Sequence, residues 1–544
     1  MRWVSKGSFL FAGLMLVAAA YFGAFIYRTS FVVDGERYFS LFDDAMISMR
    51  YASNLATGHG LVWNPDARPV EGFTDPIWTL YMTLPHLLPI AASKRSLFIQ
   101  ITAALLLLVN LYFVKRIAEE LSDHNVPVSL AAVGLTAFFY PLNNWSLQGM
   151  EVGLVTLLVS IATWATIRSL RTGRFDVRIY LLLGLATLVR PDMVVPFVVT
   201  WAFLVVAAPG RALPHLFAGL FVLMASSLGA TMFRLRYFGD ILPNTYYLKM
   251  TGYPLMLRVS RGAAVLGQFI WSMNPILFLM PLLLVLRRSP ALMYPLCLLL
   301  AQMAYSVFVG GDAWEEWVGS NRYISIAMPG FFVLFSCAAW HISELAIRES
   351  AKRAGGTPPW VRRSVFPVFI LLGLVSFNSP QGPVSLANLM LLIPPFHSGP
   401  GGENMSEVKE TLLLRAITTD KASIAVTRAG TIPYFTGRPA VDLLGKTDAH
   451  IARESARVPA GLRRFVAFRP GHTKFDYDYS VGQLRPDVVA QLWAGKDRVK
   501  PYLDEYYQQV EVQGVKLWLR LDSPNILWAE VRRRGGRSLG PLGG

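Results

Sequence analysis

Long apolar segments recur along most of this sequence, and they constrain its fold more than any other feature. Several run for roughly 15 to 24 residues, the length that crosses a hydrocarbon layer about 30 Å thick. Twelve segments fall near residues 8–27, 76–92, 96–113, 128–141, 152–167, 179–189, 193–208, 214–231, 263–286, 291–309, 324–345 and 364–380. Because 53% of the 544 residues are hydrophobic and only 16% are charged, a soluble core cannot absorb them. The sequence therefore predicts a multi-pass α-helical membrane protein.

Basic residues between these segments indicate how the chain is oriented. The most basic short connections are 168–178, 287–288 and 346–363, and the positive-inside rule places all three in the cytoplasm. We count crossings from these three connections and from a cytoplasmic N-terminus with a retained first helix. The count puts the following segments on the opposite face: 28–75, 141–151, 189–192, 232–262, 310–323 and everything after 381. Twelve crossings would leave both chain ends on one side, so about eleven are expected. The segment 76–92, broken by Pro85 and Pro89, is predicted to be re-entrant or bent.

Several functional classes find no support in the sequence. The net charge is +16, but the basic residues punctuate apolar segments rather than form a patch interleaved with aromatics, so no nucleic-acid partner is expected. Cys297 and Cys337 each lie inside an apolar segment, which argues against a disulfide framework or a thiol site. The phosphate-binding GxxxxGK[ST] motif, the zinc-protease HExxH motif and paired CxxC motifs do not occur.

The composition changes after the last apolar segment. A transmembrane domain over 1–380 is followed by a Pro- and Gly-rich linker over 381–404, which marks a domain boundary. Residues 405–532 are predicted to form a soluble α/β domain, and the basic, Gly-rich tail 533–544 is expected to be disordered. Within the domain the pattern predicts a helix over Met405–Thr418 and strands over Ala422–Arg428, Phe465–Phe468 and Val510–Leu521.

Two adjacent carboxylates, Asp43 and Asp44, stand in the first external loop at the start of a helical pattern. An acceptor hydroxyl that attacks an anomeric carbon needs a base, and a carboxylate facing a cleft of low dielectric can serve as one. The alternative is that Asp43 only caps the following helix. Both can hold, because capping uses one carboxylate and leaves the other available.

The same loop, residues 28–75, is rich in groups that carbohydrate sites use. Trp63 can stack on a sugar face, while Asn64, Glu71 and Asp75 can accept hydroxyl protons. The alternative for the aromatic residues is interfacial anchoring, which suits Trp78 better than Trp63.

Charged residues near the membrane segments suggest a site for a donor phosphate. Arg190 and Asp192 lie between two short apolar runs, and charges at that depth are retained mainly when they pair or line a wet cavity. Arg190 can bind phosphate oxygens through its guanidinium or form a structural pair with Asp192, and both readings stay open. Lys249, beside two tyrosines on the external side, is a second candidate phosphate ligand.

A third candidate group follows two glycines at the end of an apolar segment. Asp312, Glu315 and Glu316 can coordinate a hard divalent cation, although they lack the alternating loop pattern of known sites. The sequence therefore leaves a metal requirement open, and no other cofactor is expected.

Several long strings stand out when the chain is considered as a whole. In the membrane part they are FDDAMISMRYASNLATGHGLVWNP, VEGFTDPIWT, LQGMEVGL, RPD and VGGDAW, and in the tail they are AGTIPYFTGRPAVDLLGKTDAHIA and GHTKFDYDY. Together they resemble the terminal arabinofuranosyltransferases of mycobacterial cell walls. They resemble still more closely the related Gram-negative proteins called ZomB or flagellar motor control protein. The resemblance spans most of residues 38–480.

The resemblance implies a GT-C fold and a polyprenyl-phosphate pentose donor. By analogy, Asp43 and Asp44 match the acidic pair of the first external loop, and Asp312 with Arg322 matches the GGD…R element. In the tail the matching residues would line an acceptor groove, and these are Asp442, Asp448, His450 and Lys474. As part of a lid over the external loops, Tyr434 would face the membrane cavity beside Asp442 and Lys474. The VEGFTDP segment and the shorter tail depart from the mycobacterial pattern, which affects the sugar and the acceptor rather than the reaction class.

These observations predict an enzyme of a bacterial inner membrane. It would transfer a pentose such as arabinofuranose, with inversion, from a polyprenyl phosphate to an envelope glycan or glycolipid on the extracytoplasmic side. Asp43 or Asp44 would act as the base, and Arg190, Lys249 and Arg322 would bind the donor phosphate. The tail, also extracytoplasmic, would cover the external loops as a lid. The alternative is a non-catalytic envelope protein that supports flagellar motor function.

Overall fold

The structure of the protein is a computed structural model, which describes residues 6–312, 321–354, 359–378, 400–458 and 468–539. The chain divides into two compact units. The helical unit comprises Met1–Arg28, Gln100–Ala230 and Leu255–Pro395. The loop-tail unit comprises Thr29–Ile99, Thr231–Pro254 and Phe396–Gly544. The last division, between Pro395 and Phe396, lies within the predicted linker 381–404, and two segments from the predicted transmembrane domain belong to the unit of the C-terminal residues.

Helices dominate the described part of the chain. They are α1 (Lys6–Thr29), α2 (Asp43–Ala56), α3 (Pro76–Tyr81), α4 (Leu84–Leu87), α5 (Ala92–Leu121), α6 (Val126–Ala137), α7 (Tyr140–Leu147), α8 (Val152–Thr172), α9 (Arg178–Val189), α10 (Val194–Ala207), α11 (Ala212–Tyr237), α12 (Asn244–Met250), α13 (Leu255–Ser272), α14 (Pro275–Leu279), α15 (Pro290–Val309), α16 (Arg322–Ser325), α17 (Met328–Ala354), α18 (Pro359–Ser376), α19 (Pro400–Ile417), α20 (Thr431–Thr436), α21 (Ala449–Arg453), α22 (Lys496–Tyr506) and α23 (Trp528–Arg533). Short 3-10 segments occur at Pro191–Met193, Pro209–Arg211 and Met280–Arg287.

Among the described residues, six helices are long and apolar enough to cross a membrane, or up to eight if each of two bent pairs counts as one span. The six are Gly7–Thr29, Ala92–Leu121, Val152–Thr172, Pro209–Tyr237, Pro290–Val309 and Met328–Lys352. Large apolar side chains are exposed along α11, namely Phe217, Phe221, Met224, Leu228 and Met232. Exposure of this kind suits a helix surrounded by lipid, where an apolar side chain has no cost of hydration.

The described part of the chain contains fewer helices of spanning length than the eleven predicted crossings, because several apolar segments form short helices. The segments near 179–189 and 193–208 are the 12-residue α9 and the 14-residue α10, separated by a 3-10 turn. At about 1.5 Å per residue, such helices are shorter than a hydrocarbon layer about 30 Å thick. The segments near 128–141 and 263–286 are each interrupted by a short break, and the two helices on either side of the break meet at a sharp bend.

Residues 76–92 do not form one spanning helix, as the two prolines predicted. Helix α3 has six residues and α4 has four, and Pro85 lies in the first turn of α4. A proline lacks the amide hydrogen that would continue the helix from the preceding turn. The chain therefore breaks between α3 and α4.

The loop-tail unit contains two sheets. A two-stranded antiparallel sheet pairs β1 (Phe31–Val33) with β2 (Glu36–Tyr38). The larger sheet has six strands, β3 (Ile424–Val426), β4 (Ala440–Asp442), β5 (Val488–Val489), β6 (Tyr507–Val512), β7 (Val515–Arg520) and β8 (Arg537–Ser538), in the order β4-β3-β5-β7-β6-β8. Strand β3 is parallel to both β4 and β5, and the pairs β5–β7, β6–β7 and β6–β8 are antiparallel.

The secondary structure predicted for the tail is confirmed in part. The predicted helix over Met405–Thr418 is α19, and the strand predicted over Ala422–Arg428 contains β3. The single strand predicted over Val510–Leu521 is a hairpin, because Gln513 and Gly514 both have positive φ, as a two-residue hairpin turn requires. Most of the predicted strand Phe465–Phe468 lies outside the described residues.

The predicted disordered tail, 533–544, has regular structure over part of its described residues. Helix α23 ends at Arg533, and β8 then adds two residues to the edge of the large sheet through Glu511 and Val510. This pairing uses backbone groups, so the basic and Gly-rich composition did not reveal it. Residues 540–544 lie outside the described part of the chain.

The loops and the C-terminal residues share one hydrophobic core. Ile47 and Tyr51 of α2, together with Phe73, belong to the same buried cluster as Ile417 of α19 and Leu519 of β7. Tyr51 and Leu519 are both fully buried. Burial of this kind is the main stabilising contribution to a folded unit. The first external loop is thus an integral part of the unit that the tail completes.

Helix α19 carries a buried and a partly buried acidic residue, which give the stability of this unit a pH dependence. Burial raises the pKa of Glu407 to about 7 and that of Glu410 to about 8. A carboxyl whose pKa is higher in the folded state stabilises the fold below its unfolded pKa, and the contribution is lost as the pH rises through the folded pKa. We therefore expect these two groups to lower the melting temperature in detergent as the pH rises from about 5 to about 8.5.

Replacing Glu410 with glutamine should reduce this pH dependence. The neutral amide removes the cost of a buried charge, so Glu410→Gln should stabilise the protein at pH 8.5 by about 1–2 kcal/mol and change little at pH 5. This expected stabilisation is smaller than the full pKa shift of Glu410 would give, because the Glu410 side chain is partly exposed. Differential scanning fluorimetry at the two pH values measures this. The exposed Asp504→Asn is the matched control, and equal behaviour of the two variants would contradict the prediction.

Candidate functional site

The two adjacent carboxylates of the first loop contact different parts of the tail. Asp43 is the first residue of α2, and its Oδ1 accepts hydrogen bonds from the backbone amides of Gly430 (3.0 Å) and Thr431 (3.2 Å). It therefore caps α20 rather than its own helix, where Phe42 occupies the capping position without a side-chain hydrogen bond. The alternative that Asp43 caps α2 is corrected by this geometry.

Close packing surrounds this contact. A Cβ atom added to Gly430 would lie 2.1 Å from the carbonyl oxygen of Asp43 and 2.6 Å from its Oδ1. Only glycine allows the backbone to approach the carboxylate so closely. Burial raises the pKa of the Asp43 carboxyl, and the positive charges of Lys446 and Arg428 partly offset the effect. Asp43 thus joins the start of α2 to the start of α20.

Asp44 forms an ion pair with a lysine of the tail. The Nζ of Lys446 donates a hydrogen bond to Oδ1 of Asp44, and the two side chains are 11% and 21% exposed respectively. Burial alone would lower the pKa of Lys446, but Asp44 and Asp43 outweigh it and raise that pKa. Asp44 keeps the greater exposure of the pair, so one side of this carboxylate remains accessible.

Further basic groups lie close to this pair. The pKa of His472 is lowered to about 3, mainly by burial and also by the positive charges of Lys446 and Lys249. The side chain of Lys249 passes over Gly471, where an added Cβ would lie 3.1 Å from its Cε. Lys249, the predicted phosphate ligand on α12, is therefore near the tail segment that carries His472.

A buried aspartate shapes the loop that presents Lys446. Asp442 is 1% exposed, and its oxygens accept hydrogen bonds from the amides of Leu444 (2.9 Å), Gly445 (3.1 Å) and Thr447 (2.7 Å). From the other side, Nδ2 of Asn244 donates to the carbonyl oxygen of Lys446 (3.0 Å). These contacts favour a positioning role for Asp442 over the predicted contact with an acceptor.

A polar cavity lies elsewhere in the loop-tail unit. Its volume is about 330 Å³, and its walls include Arg68, Glu71, Asp240, His450 and Arg453. Glu71 accepts hydrogen bonds from Nε of Arg234 at 2.8 and 3.1 Å. Burial raises the pKa of Glu71 to about 7, although Arg234 acts in the opposite direction. Glu71 and His450, both predicted substrate ligands, therefore line the same cavity.

Three predicted sugar ligands of the first loop make structural contacts. Trp63 is 6% exposed and donates from Nε1 to the carbonyl oxygen of Ala429 (3.1 Å). Asn64 pairs with both backbone groups of Ala440, accepting at 3.1 Å and donating at 2.8 Å. Asp75, 4% exposed, accepts from the hydroxyl of Ser48 (2.9 Å). Their contacts favour a role in joining the loop to the tail, or in folding the loop itself, over contact with a sugar.

The remaining tail candidates also have protein partners. The Nζ of Lys474, a fully buried residue, donates to the carbonyl oxygens of Tyr247 and Ala452, both at 2.9 Å. Tyr434 shares a hydrogen bond with His86 (3.0 Å). Asp448 caps α21 by accepting from the amides of His450 and Ile451.

In the helical unit, Arg190 forms two ion pairs. Its guanidinium lies 2.9 Å from Glu151 and 2.7 Å from Asp192, which establishes the predicted pair with Asp192. Arg190 is 5% exposed and Glu151 is 1% exposed. The guanidinium carbons of Arg190 and Arg322 lie 5.1 and 5.7 Å from the ring centre of Tyr323.

Arg322 has a carboxylate partner in the same unit. Its Nε lies 3.3 Å from Oδ2 of Asp312, in the predicted GGD…R element. Glu315 and Glu316, which were proposed as cation ligands beside Asp312, lie outside the described residues.

Replacing Arg190 with methionine should strongly destabilise the helical unit. The change leaves the buried carboxylates of Glu151 and Asp192 without their shared cation, and breaking a buried pair in this way costs about 3–5 kcal/mol. A thermal melt of Arg190→Met in detergent measures the effect. The exposed Arg178→Met, which loses only a surface pair with Asp176, is the control. Equal melting temperatures for both variants would contradict a structural role for the buried pairs.

Sequence reasoning missed three residues that organise these clusters. Lys446 and Gly430 lie inside tail strings that were quoted for their resemblance, and Glu151 lies in LQGMEVGL. A lysine between a glycine and a threonine in a polar loop gave no sign that its partner lies 402 residues earlier. For Glu151, a carboxylate at the very start of an apolar helix was an available signal of a buried pair.

Comparisons with known proteins give limited sequence information and a clear fold. Residues 402–523 match a family model described as a domain of unknown function, DUF8728. No curated protein matches the chain in sequence.

Two solved structures resemble the whole chain. The structure of ArnT from Cupriavidus metallidurans in the apo state is 12% identical, with a TM-score of 0.53, and the match covers 94% of this chain and 97% of ArnT. The apo structure of the Archaeoglobus fulgidus oligosaccharyltransferase is 11% identical, with a TM-score of 0.54, and the match covers 97% of this chain and 76% of that protein. The chain is a membrane protein with the GT-C fold, in which several apolar helices are combined with a C-terminal sheet domain.

Proposed function

We propose that the protein is a glycosyltransferase that takes a sugar from a polyprenyl-phosphate donor and transfers it to a hydroxyl group of an envelope glycan or glycolipid. The observation that carries the proposal is the pairing of Asp44 with Lys446, a partly exposed carboxylate beside a cation on a membrane protein with the GT-C fold. Fold likeness alone does not define an activity. The site supplies the two groups that this reaction needs.

The transfer is a single displacement with inversion at the anomeric carbon. An oxygen of the acceptor hydroxyl forms a bond to the anomeric carbon while the bond from that carbon to the phosphate oxygen breaks. The hydroxyl proton passes to the Asp44 carboxylate, and the bonding electrons leave with the lipid phosphate. The phosphate departs as an anion, so it needs a nearby positive charge more than it needs a proton.

Lys446 can link the two halves of the reaction, which are proton removal by Asp44 and departure of the lipid phosphate. In the ion pair, Lys446 holds Asp44 in one orientation. When a donor phosphate binds, the lysine can move its hydrogen bonds to the phosphate oxygens, and Asp44 then accepts the proton of the acceptor hydroxyl. Lys249, whose charge acts on the same His472, adds a second cation for the phosphate.

The two aspartates have different roles. Asp43 accepts hydrogen bonds from two backbone amides at the start of α20, a contact that a catalytic base would have to give up. Asp44 has a side-chain partner that can exchange. We therefore assign the base to Asp44 and a positioning role to Asp43.

The donor sugar and the location follow from the resemblance and from the charge pattern of the sequence. A pentose such as arabinofuranose is the first donor to test. The basic connections between the apolar segments support an extracytoplasmic position for the loop-tail unit at a bacterial inner membrane. Acceptors there are polymeric, so a terminal hydroxyl would reach Asp44 from the aqueous side of the loop-tail unit.

A second function is favoured by one observation. Both aspartates already have protein partners, as they would in a non-catalytic envelope protein, for example one that supports flagellar motor function. In that case the pair would only join the loop to the tail. Such a protein would keep its function when the charge of Asp44 is removed but the contact with Lys446 is kept.

A transfer assay with a panel of lipid donors distinguishes the two functions. Purified protein in vesicles is given radiolabelled pentose and hexose donors on polyprenyl phosphate, together with a short soluble glycan acceptor. We expect label to move to the acceptor with a preference for a pentose donor. Transfer of a hexose instead would revise the donor but retain the class, whereas no transfer from any donor would reject the enzyme.

A further inference from the structure

Three potential metal ligands meet beside α21 in the tail. His450 lies on α21, Glu454 follows the helix directly, and Asp476 comes from the segment before the π-helix Asp478–Gln483. Nε2 of His450 lies 3.0 Å from Oδ2 of Asp476 and 3.7 Å from Oε1 of Glu454. All three ligand atoms lie within 4.8 Å of one another.

These separations suit a tetrahedral divalent ion. With metal–ligand bonds of about 2.0–2.2 Å, neighbouring ligand atoms in a tetrahedron lie about 3.3–3.6 Å apart. The observed separations bracket this range, so small side-chain rotations are sufficient to place one ion between them. Glu454 directly follows the last turn of the helix that carries His450, which keeps the two side chains close together.

Other contacts hold two of the three ligands in position. Oδ1 of Asp476 accepts a hydrogen bond from the amide of Tyr479 (3.1 Å), which leaves Oδ2 directed at His450. The imidazole of His450 lies against the ring of Tyr479, with centres 4.2 Å apart. Contacts of this kind fix the orientation of metal ligands in known sites.

The polar cavity provides an independent indication of a ligand. His450 lines the cavity of about 330 Å³, together with Asn244 and Arg453. The side chain of His450 is 47% exposed, so a metal held by it would have an accessible coordination position. A hydroxyl or phosphate oxygen in the cavity can occupy that position, as water or substrate does at open zinc sites.

We propose that His450, Glu454 and Asp476 bind one divalent transition-metal ion, with Zn²⁺ as the best match. Two carboxylates balance the charge of the ion, and an imidazole ligand favours zinc over calcium or magnesium. The site is independent of the proposed transfer reaction and does not include Asp43 or Asp44. It joins α21 to the segment at Asp476 and adds a positive centre to the cavity wall.

Direct titration of the full chain tests the site. Tag-free protein in detergent is stripped with EDTA and titrated with zinc chloride, by calorimetry and by competition with a fluorescent chelator. We expect saturable binding of one ion at micromolar or lower concentration, and weaker binding of magnesium. Cobalt should give the visible absorption of a tetrahedral site.

Variants then locate the ion. His450→Ala and Glu454→Gln should each weaken zinc binding by about tenfold or more and remove the cobalt absorption. The control is His59→Ala, which removes an exposed histidine of the same unit whose ring contacts the Thr57 hydroxyl. Melting temperatures in EDTA show that each variant is folded. No saturable binding by the native protein, or equal affinity in all three variants, would overturn the proposal.

Discussion

Asparagine in place of Asp44 is expected to lower kcat for sugar transfer by about 100- to 10,000-fold, the range that a general base contributes. The amide can still accept a hydrogen bond from Lys446, so the loop and tail should remain joined. It cannot take the proton of the acceptor hydroxyl. The KM for the lipid donor should therefore change much less than kcat. Initial rates at several donor concentrations separate these two quantities.

Asp43→Asn is the matched control for this result. Its amide oxygen can still accept from the backbone amides of Gly430 and Thr431, so activity should fall by less than about tenfold under the assignment of the base to Asp44. Asp43→Ala removes the cap of α20 and should cost about 1 kcal/mol of stability. Loss of activity in Asp43→Asn with normal turnover in Asp44→Asn would transfer the role of base to Asp43.

Gly430→Ala should give the second largest effect. Its Cβ would lie 2.1 Å from the carbonyl oxygen of Asp43, a backbone atom that cannot rotate away. Either α20 or the start of α2 must move, and overpacking of this kind costs about 1–3 kcal/mol. A displacement of about 1 Å near a reacting group can lower the rate about 100-fold. We expect both a lower melting temperature and a large loss of kcat.

A glycine in open space serves as the control for this substitution. Gly267 lies on α13, and nothing surrounds the position that its Cβ would occupy within 4 Å. Gly267→Ala should leave transfer unchanged and should not lower the melting temperature, since alanine is a better helix former than glycine. If Gly430→Ala behaves like Gly267→Ala, the close contact between Asp43 and α20 is not required for activity.

Local patterns in the sequence were sufficient for much of the fold. Apolar segments identified the long helices, Pro85 and Pro89 indicated the break in 76–92, and the polar segment 405–418 predicted α19. These features depend on residues close together in the chain. The apolar segments near 179–189 and 193–208 were predicted as two crossings and form two short helices, because hydropathy does not show whether a helix continues across a break such as Pro191.

The candidate site depends on contacts that no local pattern contains. The partners of Asp43 and Asp44 are 387 and 402 residues away, and a carboxylate pair looks the same whether it meets a sugar, a lysine or a helix terminus. The same limit applies to Trp63 and Asn64, whose types of side chain suggested contacts with a sugar. In the structure they bind Ala429 and Ala440 of the tail. Sequence therefore located the important loop but not the division of roles within it.

The balance of products tests the central proposal most directly. Purified protein in vesicles is incubated with one polyprenyl-phosphate pentose and a defined acceptor, and mass spectrometry with NMR quantifies the lipid phosphate, the glycosylated acceptor and the configuration of the new bond. The account predicts one free lipid phosphate for each new glycosidic bond, with inverted configuration, and neither product from Asp44→Asn above background. Retained configuration, or equal product formation by Asp44→Asn and the native protein, would contradict it.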